Sequence, residues 1–111
     1  MAREISEKDW KLFRRLHPLA LERFCERALS EVGRLTADSG KGAHERYLTI
    51  FKLLQRRDKE LAEAFDDLRR STAWRQLAIL RSRGLLTEEE FARFSQETQS
   101  LVAALLGEST P

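Results

Sequence analysis

The densest chemical potential in this 111-residue chain is cationic: Arg69, Arg70, Arg75, Arg81 and Arg83 fall within fifteen positions that hold no acid. Guanidinium forks match phosphates and carboxylates alike, so the run can serve a nucleic acid, a phosphate ligand or a partner's acidic face. The plainer reading is a solvated helix face paired with acids elsewhere in the chain. Residues 44–83 carry ten basic and six acidic groups, and residues 84–111 carry one and five. The protein therefore holds its own counter-charges, and a net charge of +2 is too small to argue for nucleic acid.

Other reactive residue types are few, and their spacing disarms them. His44-Glu45-Arg46-Tyr47 opens like a zinc-protease motif, but Leu48 stands where the second histidine belongs. His17 precedes Pro18 at what reads as an interhelical corner, where a cap or structural hydrogen bond is the expected role. Cys25 lies on an apolar stripe as a small hydrophobe. As the single cysteine it offers neither an internal disulfide nor a zinc-ligand set. Glu63, Asp66 and Asp67 face different directions on a helix and read as a solvated, Arg-paired surface. The sequences around Phe65 and Phe91 resemble EF-hand helices, but Leu68, Arg70, Thr72 and Trp74 would occupy the oxygen-ligand positions, which excludes calcium. No catalytic, metal or cofactor constellation emerges, and the expectation is a non-enzymatic protein without a cofactor.

Whatever function exists must be positioned by helices. A chain 34% charged and 41% hydrophobic with only five Gly and two Pro, rich in Leu, Ala, Glu and Arg, predicts an all-α fold of four to five helices in a small antiparallel bundle. No apolar run approaches the roughly 20 residues of a membrane span, and the N-terminus lacks a signal-peptide core. A cytoplasmic location and a single domain over 1–107, with a frayed tail at 108–111, are expected.

Ser6 caps a first helix, with Asp9 in its first turn and Ile5 and Trp10 placed as a hydrophobic staple. The residue before a proline avoids the helical region, so this helix is expected to stop near Leu16 and a second to start at Pro18. Leu21, Phe24, Cys25, Ala28, Leu29 and Val32 form the packed stripe of the second helix, opposite a wet face of Glu22, Arg23, Glu26, Arg27 and Glu31. A Gly-rich loop over 36–42 follows.

From His44 the pattern lengthens. Tyr47, Phe51, Leu54, Asp58, Leu61, Phe65 and Leu68 are spaced 4, 3, 4, 3, 4, 3, a coiled-coil-like seam broken only by Asp58. Either Asp58 caps a second helix, or one helix of some 26 residues, roughly 39 Å long, runs through it; the continuous helix is the expectation. Ser71-Thr72 then offers a cap for a short helix that carries Trp74, Leu77, Ala78 and Leu80 and ends at Gly84. Thr87 and Glu90 form a capping box that opens a last helix carrying Phe91, Phe94, Thr98, Leu101, Val102 and Leu105. The bundle is expected to combine the second, the long third and the last helix. Trp10, Tyr47 and Trp74 all sit at helix-periodic apolar positions and read as packing residues.

Over about residues 74–95, the order of a leucine-spaced helix, Gly84, Leu85-Leu86-Thr87, an acidic turn and Phe91 resembles the short C-terminal helical hairpin called SHOCT. That resemblance implies a hairpin spanning about 72–106 and a role in oligomerisation or peripheral contacts, without catalytic residues. The stretch from His44 to Thr98 is also similar to small uncharacterised helical proteins of proteobacteria, which supply no activity. A helix-turn-helix reading fails because its recognition helix would meet DNA with Glu88-Glu89-Glu90. The functional expectation is self-association, as a homodimer or with another protein, through Tyr47, Phe51, Leu54, Leu61, Phe65 and Leu68, with nucleic-acid or phosphate binding through the five arginines as the alternative.

Overall fold

A computed structural model describes residues 4–107, and every regular element among them is helical. Helices α1 (Glu7–Thr36) and α2 (Ala43–Phe65) form a long hairpin; a short 3-10 turn (Arg70–Thr72) leads into α3 (Ala73–Ser82), α4 (Glu88–Ala92) and α5 (Gln96–Leu105). The tail expected to fray at 108–111 lies outside the described residues.

The start of α1 follows its sequence signals. Ser6 Oγ accepts from the Asp9 backbone N–H at 3.1 Å, and Ile5 is buried with Trp10 packed against the same core. The expected break at His17 does not occur: Pro18 sits inside one 30-residue helix. An interior proline removes a hydrogen bond and costs about 3 kcal/mol. Here Leu12, Phe13 and Leu16 before it and Ala20 and Phe24 after it are buried in one cluster, and splitting the helix would tear that stripe apart. The carbonyl that loses its donor belongs to Arg14, an exposed residue, so the loss falls on the solvent side of the helix.

Helix α2 runs through Asp58, as the continuous-seam expectation has it, but stops at Phe65. Asp66 is extended and Asp67 adopts a left-handed φ of 61°, a conformation that Asp tolerates through its short polar side chain. The buried Gln76 amide donates to the Asp66 carbonyl at 2.5 Å and fixes the turn. Leu68 therefore lies beyond the helix. Thr72 stands at the N-cap position of α3, but its side chain makes no capping bond; its hydroxyl instead donates back to the carbonyls of Asp67 and Arg69.

The end of α3 matches expectation. Gly84 has φ +66°, its N–H bonds the Arg81 carbonyl, and the Leu85 N–H bonds the Leu80 carbonyl, the paired closure of a Schellman motif. The Thr87–Glu90 capping box is present. The last helix is not continuous, however: α4 ends at Ala92, and Ser95 caps a separate α5 by accepting from the Thr98 N–H. The break lets both Phe91 and Phe94 enter the core.

The bundle is grouped differently from expectation, with α5 packed chiefly on α3 rather than on α2. Buried Asp9 ties the first turn of α1 to this unit. Its carboxylate accepts from Ser95 N–H at 3.1 Å, Ser95 Oγ at 2.6 Å and Thr98 Oγ1 at 2.6 Å. Burial pushes the Asp9 carboxyl up, yet these hydrogen bonds together hold it below its ordinary value.

Candidate functional site

The face read as wet on α1 is a tertiary clamp. Arg23 makes a bidentate pair with Glu90 at 2.7 and 2.9 Å and donates to the Leu85 carbonyl. Arg27 donates to the carbonyls of Arg83 and Gly84. Both cations thus cap the carbonyl-rich end of α3, where the helix dipole favours positive charge. The Arg23 guanidinium, with the Thr87 cap, holds Glu90 down at about 2. Arg57 reaches from α2 to Glu31 on α1 at 2.8 and 3.0 Å and to Glu60 on its own helix. That hydrogen-bonded pairing with Arg57 lowers the Glu31 carboxyl.

The five sequence-clustered arginines do not make one surface. Arg69 pairs with Asp67 at 2.5 Å, and Arg70 donates to the Ile5 carbonyl at 2.9 Å. Arg81 bonds Glu88 at 2.8 Å and lies 4.1 Å over the Phe91 ring, while Arg83 stands 3.6 Å from Glu60. Only Arg75 among the five has no ion pair among the described residues. A helix spreads successive side chains around its axis, so adjacency in sequence became dispersal in space.

The two histidines lie far apart in different settings. His17 lies mid-helix instead of at a corner, edge-on to Phe13 and Phe65 with ring centroids 5.8 and 5.2 Å away. Burial lowers its pKa below 6.5, against an opposing backbone hydrogen bond at Phe65. His44 is exposed in the first turn of α2. No group of three or more His, Cys, Asp or Glu side chains among the described residues is placed to hold a metal ion. No helix among them is long and apolar enough to cross a membrane.

What remains is an apolar face. Tyr47, Leu48, Phe51 and Leu54 on α2 and Leu29 on α1 are between 41% and 66% exposed. Phe24, Cys25, Ala28, Leu29, Phe51, Leu54 and Leu61 line a groove of about 600 Å³ between the two helices, with Gln55, Arg57 and Asp58 at its polar margin. The six seam residues named from sequence thus divide. Tyr47, Phe51 and Leu54 are on the open face and Leu61 lines the groove, whereas Phe65 is a core residue and Leu68 lies in the turn after α2.

The chain matches no family model, no curated protein and no solved structure. The geometry alone has to carry the functional reading.

Tyr47 departs from the expected packing role, being 66% exposed, while Trp10 and Trp74 do pack against the core. Two surface residues escaped the sequence reading. Leu29 sat in a stripe read as wholly packed, and Leu48 lay beside the seam; a Leu three residues before Phe51 was the available signal.

Proposed function

We propose that this protein is a non-enzymatic interaction module that forms a homodimer through the open face of its α1–α2 hairpin. The observation that carries this reading is the row of Tyr47, Leu48, Phe51 and Leu54 along α2, with Leu29 of α1 lining the same groove as Phe51 and Leu54, five of the eight large hydrophobic side chains that are exposed among the described residues. Taking roughly 200 Å² for a large side chain, their exposed fractions leave on the order of 500 Å² of apolar surface. Cys25, Leu61, Gln55 and Asp58 extend it toward the ~800 Å² per partner of a standard interface. The hairpin is long and open on this side: the molecule measures 52 × 30 × 23 Å with a radius of gyration of 17.0 Å, against about 13 Å for a compact domain of this size. Two such faces brought together give a four-helix arrangement and bury the same residues in both copies, as an isologous interface requires.

Sedimentation equilibrium of the full chain at low and high salt tests the reading. The expected result is a dimer whose dissociation constant is insensitive to salt, converted to a monomer of unchanged helicity by Leu54→Glu. A wild-type chain that stays monomeric up to its solubility limit overturns it. Ultraviolet-absorbing material that co-sediments at low salt and is released at high salt would favour anion binding through the exposed Arg75 region instead.

A further inference from the structure

The open stripe of α2 reads Tyr47, Phe51, Leu54, Asp58, in steps of four, three and four residues. That spacing is the same in both directions, so the stripe is its own complement when reversed. Its two ends carry opposite hydrogen-bonding roles. The Tyr47 hydroxyl is a donor on a side chain 66% exposed, and Asp58 is an exposed carboxylate at the groove margin. Neither has a side-chain hydrogen bond or ion pair among the described residues, although Arg57 beside Asp58 is fully engaged by Glu31 and Glu60. Within one copy the two groups are eleven residues apart on a straight helix, about 16 Å, and cannot meet.

We propose that two copies pair antiparallel about a two-fold axis passing between residues 52 and 53 of α2. Each Tyr47 hydroxyl then donates to the Asp58 carboxylate of the other copy, and each Phe51 packs on the other copy's Leu54. This rests on the self-association reading and adds its orientation and register. The alternatives leave a buried charge unanswered. A parallel pairing sets Asp58 against Asp58 inside an apolar seam, and sliding the antiparallel pairing so that Asp58 meets Leu54 or Phe51 desolvates the carboxylate without a donor. A single polar residue in an otherwise apolar seam is a known device for fixing register at some cost in stability, and Asp58 is that residue here.

A charge-exchange cycle tests the pairing. Tyr47→Glu places two acids together, and Asp58→Lys removes the acceptor; each is expected to weaken the dimer at least tenfold by sedimentation equilibrium. The double variant Tyr47→Glu/Asp58→Lys restores an opposite-charge pair across the interface and is expected to return to within about threefold of wild type. Losses that simply multiply in the double variant overturn the register while leaving dimerisation standing. A monomeric wild type overturns both. As a second readout, a spin label on His44→Cys in a Cys25→Ala background is expected about 25 Å from its mate along the helix axis; a separation of about 10 Å, the parallel arrangement, overturns the orientation even if the charge variants fold poorly.

Discussion

At the end of the hairpin where α1 begins and α2 finishes, side chains from all the helices converge on one cluster that includes Phe13, Leu77, Leu80 and Val102, each fully buried. At the other end, where α1 finishes and α2 begins, the buried apolar residues are Ala28 and Leu53, and neither belongs to that cluster. The same two helices thus have a covered half and an open half. The covered half is held by packing and by Asp9 and Arg23, while the open half relies on Arg57–Glu31 and on Arg46 donating to the Thr36 carbonyl. Helical periodicity is equally good in both halves, so it reports that a face will be buried without saying whether the same chain buries it.

The largest effect that separates the halves is expected from Phe13→Ala, a loss of about 3–5 kcal/mol in chemical denaturation, because a ring with no exposure leaves a cavity. Asp9→Ala comes next, at about 3 kcal/mol, since it strands the buried Thr98 hydroxyl and removes the acceptor through which Ser95 ties α5 to α1. A loss below about 0.5 kcal/mol would show that water replaces the carboxylate and that α5 is not anchored through it.

Acid should act chiefly on the covered half. Glu90 there, ordinarily near 4.5, is held at about 2, and Asp9 is lowered too; in the open half only Glu31 is lowered. The unfolded chain therefore binds protons first, and the stability these groups supply above about pH 4.5 is lost as pH falls toward 2. His17 acts in the same direction from higher pH: its folded value lies below 6.5, so protonation favours the unfolded state and stability starts to decline below that point. Glu90→Gln is expected to lose about 2 kcal/mol at neutral pH and to flatten the descent between pH 4.5 and 2, as read from denaturation midpoints across pH. An unchanged profile would show that Arg23 finds an equal partner elsewhere.

Pro18→Ala should stabilise by about 1–2 kcal/mol, restoring a helix hydrogen bond to Arg14 against some gain in unfolded-state entropy. A loss instead would place a real break at His17. Smallest is Phe51→Ala, which should change monomer stability by less than about 0.5 kcal/mol at dilute concentration while weakening the dimer. If Phe51→Ala cost as much as Phe13→Ala in the monomer, the distinction between the halves would collapse.

The local devices were legible because each is written in neighbouring residues. Ser6, the Gly84 turn, the Thr87–Glu90 box and the unbroken run through Asp58 are all satisfied by groups within a few positions, and so were the all-helical class and the existence of an apolar seam at Tyr47–Leu54. The continuity of α1 through Pro18 was decided elsewhere, by burial on both sides of the proline that outweighs its local penalty. The split at Ser95 likewise depends on Asp9, 86 residues away. Which arginines matter was also a tertiary decision: Arg23, Arg27 and Arg57 found carbonyls and carboxylates on other elements, while the run from Arg69 to Arg83 was spread around the fold. Sequence periodicity fixes which residues share a helix face, because that follows from 3.6 residues per turn. Whether a face meets the core, another helix or nothing in its own chain depends on where distant elements come to rest, and in this protein that left Tyr47, Phe51 and Leu54 in the open and sent Phe65 inside.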